Sequence, residues 1–259
     1  MKNLILDEPV KGVARLTLSQ PKHRNAINAA MWAALPDLLA ELAERGDLRA
    51  LIITGAGDHF AAGADISEFE TLYSTAESAT KMSSNIQKSC EALASFPRPT
   101  LAMIRGACIG GGCGVALSCD FRFADKTARF AVTPAKLGLV YPFGDIERLI
   151  EAVGISHAKD MLFSARMIDA KPAHKIGLIH RVYDAEDLDS KTFDYLAMIT
   201  ARSPESLRVM KTMISAYQKG QRGDTPETDA LFRSGFTSKD FAEGYSAFLA
   251  KRPPDFSNG

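Results

Sequence analysis

The sequence predicts an α/β fold, and three observations carry the prediction. Twice a short apolar strand runs into a loop of small residues and on into a helix, as ITGAGDHFAAGADI and as MIRGACIGGGCGVAL. Longer stretches with apolar residues at helical spacing separate the strands. From Phe143 onward the pattern is mostly helical and ends in an all-helical C-terminal third. A chain of 259 residues is long enough for one large domain, or for a main domain with a helical appendage.

In chain order, Leu4–Leu6 and Val13–Leu18 alternate apolar and polar residues around Gly12, which predicts a β-hairpin. A loop with Pro21, Lys22, His23 and Arg24 follows, and Asn28 can cap a helix over 29–44, whose Met31, Leu35, Leu38, Leu39 and Leu42 share one face. A buried strand over 50–54 ends at Gly55. Asp65, with Glu68 three residues later, has the form of a capping box, a structural role that competes with a catalytic one. Residues 75–95 predict a helix stopped by Pro97 and Pro99, and 100–104 the next strand. Short strands are expected at 121–123 and 128–132. Helices follow at 143–153, 157–163 and 171–176, then a strand-like 178–183. Four more helices are expected at 185–201, 204–219, 226–234 and 239–250.

Composition excludes several classes. Acidic and basic residues balance at 31 each, so no charge excess marks a nucleic-acid-binding face. No apolar run reaches the length of a membrane span, because Arg105 and Asp120 bracket the best candidate. The opening MKNLILDEPVKG has acid at Asp7 and Glu8 and no signal-peptide core. The four cysteines, Cys90, Cys108, Cys113 and Cys119, form no CxxC pair and are expected as buried free thiols in a reducing cytoplasm. The histidines lack ligand spacing, so no metal is expected. There is no phosphate loop, no dinucleotide fingerprint, no HExxH and no GxSxG elbow.

The chemistry concentrates in IRGACIGGGCGVALSCD, residues 104–120. Glycines at a strand-to-helix turn let backbone N–H groups approach a ligand oxygen closely. At a helix start those N–H groups are unpaired and carry the positive end of the dipole. Such a site suits the oxygen of a thioester enolate. A close-packed glycine corner accounts for the triplet equally well. Ala64 and Gly111 are the residues of the two loops whose N–H groups could meet at one substrate oxygen.

Taken together, HRNAIN, ITGAGDHFAAGADISEF, IRGACIGGGCGVALSCDFRFA, FAVTPAKLGL, AKDMLFSARMIDAKPAHKIGLIHRV and AEGYSAFLAKRPPDF resemble the crotonase superfamily, the enoyl-CoA hydratase/isomerase family, over nearly the whole chain. The resemblance implies a spiral of repeated β-β-α units over 1–200, and a C-terminal helical trimerisation region over 201–259. It implies a homo-oligomer, a trimer or a dimer of trimers. The substrate would be an acyl-CoA; coenzyme A would enter as part of it, and no permanently bound cofactor is implied. Ala64 and Gly111 fall where the family holds the enolate oxygen. Lys22, Arg24 and Ala26 fall where it grips the pantetheine and nucleotide. Ala62, Asp65 and Ile66 belong to the substrate-lining AGADI segment, and Phe248 and Lys251 to a tail that similar proteins present to CoA.

The sequence also departs from the family. Hydratases of this kind carry two glutamates, and here those positions are Gly114 and Pro134, neither of which can move a proton. The segment TPAKLGLVYPFGDIERL resembles members with a TPxxLGxxY pattern, some of them acyl-CoA decarboxylases, whose tyrosine aligns with Tyr141. Those members carry a histidine where this chain has Ala64 and a glutamate where it has Gly114. Asp145 and Tyr141 are the candidates for acid–base work. Against this, Asp145 is also placed as a favourable charge at a helix start, and Tyr141 as packing beside Pro142 and Phe143. His23 and His59 are expected on the loop surface. Decarboxylase or isomerase chemistry is favoured over ordinary hydration. The alternatives are a hydratase with relocated groups and a catalytically weak CoA-thioester binder.

Overall fold

The computed structural model describes residues 3–256; the outermost bounds of the two expected regions, 1 and 259, fall outside them. The hairpin forms from β1 (Leu4–Val10) and β2 (Val13–Leu18), with Gly12 at φ 77° in its turn. Helix α1 (Ala29–Ala43) is capped by the Asn28 side chain, which accepts from the Met31 N–H at 2.9 Å. Its buried face is Met31, Trp32, Leu35, Leu39 and Leu42. Then come β3 (Ala50–Gly55), the short α2 (Phe69–Leu72), α3 (Ala76–Ala94), β4 (Thr100–Ile104), β5 (Ala107–Ile109) and α4 (Gly111–Leu117). The chain continues through β6 (Phe121–Asp125), β7 (Arg129–Ala131), α5 (Phe143–Ser164), β8 (Ile168–Asp169), α6 (Ala170–Lys175) and β9 (Arg181–Tyr183). It ends in α7 (Leu188–Thr200), α8 (Pro204–Gln218), α9 (Pro226–Ser234) and α10 (Lys239–Leu249).

Among the described residues the strands make two layers. One is a six-stranded sheet of order β1-β2-β3-β4-β6-β9, parallel except for the hairpin; the other is β5-β7-β8. Isolated parallel bridges, Ile27 to Ala64 and Ala61 to Cys108, extend the second layer toward the N-terminus. Each turn of chain therefore gives one strand to the large sheet, one extended segment to the small layer, and then a helix. That is the expected β-β-α spiral. β3 and β4 are buried on both faces, which is why they read as continuous apolar runs. Leu51 and Ile53 face the main core with Trp32, Phe60 and Phe130. Ala50 and Ile52 face a smaller core closed by Leu188 and Leu196 of α7.

Several boundaries differ from expectation for identifiable reasons. The helices expected at 143–153 and 157–163 are the two halves of α5, broken at Gly154 (φ 74°, ψ 162°). The strand expected at 178–183 is regular only over Arg181–Tyr183, and β5 was not separable from the glycine stretch by sequence. The capping box at Asp65 is not formed. Asp65 does cap the 3-10 turn Ile66–Glu68, accepting from the Ser67 N–H at 3.1 Å. Glu68 instead reaches back to α1 and accepts from the Ala29 N–H at 2.8 Å. The four cysteines are buried free thiols. Helix α8 docks on the core through Lys211, whose ammonium lies 2.7 Å from Asp120 and donates to the Arg98 carbonyl at 3.2 Å. No helix among the described residues is long and apolar enough to cross a membrane.

Candidate active site

Two adjacent turns of the spiral carry the first half of the site. The Ala61 N–H donates to the Ala107 carbonyl and the Ile109 N–H to the Ala61 carbonyl, both at 2.9 Å, which sets Ala61 beside Cys108. Ala64 and Gly111 each lie three residues downstream of that pair. They stay together: a Cβ placed on Gly111 would stand 3.5 Å from the Ala64 nitrogen. Ile27 bonds to both neighbours of Ala64, donating to the Gly63 carbonyl at 2.7 Å and accepting from Asp65 at 3.1 Å. In a parallel bridge this leaves the N–H of Ala64 itself directed away from Ile27. Gly111 is the first residue of α4, preceded by Gly110 at φ 52°, a conformation that a side chain opposes. Its N–H is one of the unpaired helix-start donors.

The loop holding Lys22, Arg24 and Ala26 is tied to the same region. The Ala62 N–H donates to the Arg24 carbonyl at 3.0 Å, and the His23 ring lies 3.4 Å from Asp65. Burial opposes charge on Asp65, but the Ser67 hydrogen bonds and His23 outweigh it and hold the carboxyl below its usual range. Lys22 and Arg24 are exposed, with Arg24 at φ 49°, while Ala26 is buried. Asn25, whose side-chain role the sequence did not announce, is fully buried and staples the loop by donating to the carbonyls of Ala56 and His59 at 2.8 and 2.6 Å. Ile66 is exposed. Phe248 lies elsewhere, in an aromatic hollow of about 470 Å³ among the C-terminal helices that none of the loop residues above lines. Lys251 sits at the end of α10, its N–H on the Phe248 carbonyl.

The second half of the site surrounds Gly114. A Cβ placed there would stand 3.0 Å from Asp145 Oδ2 and 3.3 Å from the Tyr141 hydroxyl. The space beside α4 at that position is thus taken by a carboxyl and a phenol that arrive from the segment leading into α5. Both are buried. The Tyr141 hydroxyl donates to the Gly110 carbonyl at 3.1 Å, which braces the turn before Gly111. Burial, and then the neighbouring Asp145 charge, push the Tyr141 phenol well above its ordinary value. Burial likewise raises the Asp145 carboxyl, while Arg148, with Nη1 3.1 Å from Oδ1, and the Cys90 thiol pull it back.

Sequence reasoning brought Ala64, Gly111, Tyr141 and Asp145 forward, and the structure sets them in two pairs at α4: Ala64 beside Gly111, and Tyr141 with Asp145 against Gly114. It missed Trp32, whose ring edge would stand 3.0 Å from a Cβ on Gly111, because a tryptophan on an apolar helix face reads as core. It also missed Thr133, whose hydroxyl would lie 3.5 Å from a Cβ on Gly110.

The sequence profile of the enoyl-CoA hydratase/isomerase family matches residues 8–259. The chain belongs to that family. Within the family it is 33% identical to a crotonyl-CoA hydratase of Syntrophomonas wolfei over 261 aligned residues, covering 98% of each chain. It is 32% identical to a short-chain-enoyl-CoA hydratase of Clostridium acetobutylicum, covering 97% of this chain and 96% of that one. Its fold matches the crystal structure of an enoyl-CoA hydratase/isomerase family protein from Hyphomonas neptunium. That match has a TM-score of 0.95 at 42% identity, over 98% of this chain and 97% of that one. The two sheets and the C-terminal helices are thus the crotonase fold, and the family implies an acyl-CoA thioester substrate.

Proposed function

We propose that this enzyme forms a thioester enolate between the N–H groups of Ala64 and Gly111, and that Asp145 moves the proton. One observation carries the reading: the Asp145 carboxyl stands where a side chain of residue 114 would be, so the site keeps a carboxyl although the family's glutamate position is glycine in this chain. A single buried carboxyl suits a double-bond shift. In its carboxylate form Asp145 takes a proton from C2 of a 3-enoyl-CoA, and the electron pair moves onto the thioester oxygen. The same group, now the acid, returns the proton at C4 to give the 2-enoyl-CoA. A proton-transfer group works best with a proton affinity near the operating pH, and burial moves Asp145 in that direction. Tyr141 supports the hole by holding the Gly110 carbonyl.

Lys22, Arg24, Ala26, Ala62, Asp65 and Ile66 would line the CoA arm, and Phe248 and Lys251, which lie apart from them within one chain, would meet its far end across a subunit boundary. Residues 201–259 would serve assembly into a trimer or a dimer of trimers, in the cytoplasm. Coenzyme A would be the carrier of the substrate, with no further cofactor. Hydration is the second reading, favoured by the hydratase names of relatives at 32–33% identity. Decarboxylation is less favoured than the sequence suggested, because the Asp145 carboxylate would face the carboxylate such a substrate brings.

The test is incubation of the purified enzyme with a CoA-thioester panel of 3-enoyl, 2-enoyl and methylmalonyl forms, followed by absorbance and mass. New conjugated-enoyl absorbance without a change of mass is expected. Gain of water on the 2-enoyl substrate would establish the second reading. Loss of CO2 from the methylmalonyl form alone would overturn both.

A further inference from the structure

The Asp145 carboxyl is held by groups that the reaction itself does not require. Arg148, one turn further along α5, donates through Nη1 to Asp145 Oδ1 at 3.1 Å and through Nη2 to Glu91 Oε2 at 3.0 Å. The guanidinium therefore sits as a fork between a buried carboxyl on α5 and a half-exposed one on α3, the Glu91 side chain being 55% accessible. It lies back against the first turn of α5, where a Cβ on Gly144 would stand 3.4 Å from Nη1. Cys90, the neighbour of Glu91 on α3, brings a buried thiol that favours the charged form of the same carboxyl. With Oδ1 tied to Arg148, Oδ2 is the oxygen left facing Gly114.

We propose that Arg148 is a positioning residue of this enzyme: it fixes the Asp145 carboxyl with one oxygen toward the substrate, and the Glu91 carboxylate tempers how strongly it does so. The inference rests on the reading of Asp145 as the proton-transfer group. The groups facing that carboxyl are Arg148 from its own helix, Cys90 from α3 and Tyr141 from the turn before α5; Gly114 of α4 adds no charge. Glu91 acts through Arg148, and Ser118 of α4 through Cys90. Among the described residues Arg148 is thus the one cation in direct contact, opposed at a distance by Glu91. Removing it takes away the favourable charge and the fork together. Removing Glu91 leaves Arg148 wholly to Asp145.

The experiment titrates the Asp145 carboxyl by difference infrared spectroscopy, with the Asp145→Asn spectrum identifying the band, in the unaltered enzyme and in Arg148→Met, Arg148→Lys and Glu91→Gln. In parallel, kcat/KM on a 3-enoyl-CoA is followed against pH. Arg148→Met is expected to raise the midpoint by about 1–3 pH units, the size of an arginine–carboxylate effect. Arg148→Lys should raise it less, because charge is kept while the fork is lost, and Glu91→Gln should lower it. The acid limb of kcat/KM should move with the midpoint. An unmoved midpoint in folded Arg148→Met, or in Arg148→Lys if the former does not fold, overturns the role of Arg148 alone. A midpoint that moves while the acid limb stays overturns Asp145 as the proton-transfer group, and this inference falls with it.

Discussion

Adding one methyl group at Gly114 tests the site without replacing any of its working groups. In Gly114→Ala the new Cβ would stand 3.0 Å from Asp145 Oδ2 and 3.3 Å from both Asp145 Cγ and the Tyr141 hydroxyl. Ordinary contact begins near 3.4 Å, so the carboxyl must retreat by a few tenths of an ångström. Arg148 holds its other oxygen, so the retreat strains a tethered group. Residue 114 lies inside α4, where alanine is favoured over glycine by about 1 kcal/mol. That gain and the tight contact roughly offset each other, leaving the melting temperature within about 4 °C of the parent. Turnover should nonetheless fall by about tenfold to a hundredfold, since small misplacements of a reacting group cost that much. The assay is kcat on the active CoA thioester beside thermal unfolding of the same preparation. Parental turnover in folded Gly114→Ala would refute the placement of the proton transfer at Asp145.

Asp145→Asn should lower kcat by about 10²–10⁴-fold with KM little changed, as steady-state kinetics would show. The Asp145 carboxyl titrates higher in the folded chain than its unfolded value of 3.8. Its contribution to stability is therefore complete below that value and is lost as pH rises through the folded one, a component urea unfolding of the variant should lack. Gly111→Pro removes one enolate donor and should cost about 10²–10³ in kcat, whereas Gly111→Ala, which meets Trp32 in the same way but keeps its N–H, should cost much less. His180 accepts from the Arg122 N–H through Nδ1 at 3.0 Å, and burial with the Arg122 charge lowers it from 6.5 to about 4. Its contribution is present above pH 6.5 and is lost as pH falls toward 4, so His180→Gln should flatten the stability decline across that window, measured by urea unfolding against pH.

The parts of the fold legible in sequence were those with a periodic or local signal. Asn28 announced the start of α1, and the apolar runs of β3 and β4 announced strands, which the structure buries on both faces. The small layer was much less legible. Ile27, Ala61 and Ala64 pair through single bridges, and a single bridge leaves no periodicity to find. Glu68 misled because its spacing to Asp65 satisfies a local rule, while the donor it serves is on α1, 39 residues away along the chain. In the site, Gly111 and Ala64 were visible as small residues at two loop ends. Asp145 and Tyr141 were visible as titratable groups, but only packing shows that they converge on Gly114. Arg148 could not have been found, since a charged residue on a helix reads as solvated until its partners are known.

The two halves of this site are made of different material. On the proposed reading the enolate hole is main chain, set by the bridge between Ala61 and Cys108, and no side-chain exchange removes its donors short of proline. The proposed proton-moving half is side chain, delivered from a different helix than the one that lacks it. Affinity for the intermediate and the fate of the intermediate are therefore separately mutable properties of one molecule. A stable analogue of the thioester enolate would be retained by a chain whose Asp145 has been silenced. Moving the carboxyl between residues 114 and 145 would change the helix that delivers the acid while leaving the two N–H groups in place. For anyone seeking to redirect such an enzyme, the scaffold is the constant and the acid is the variable.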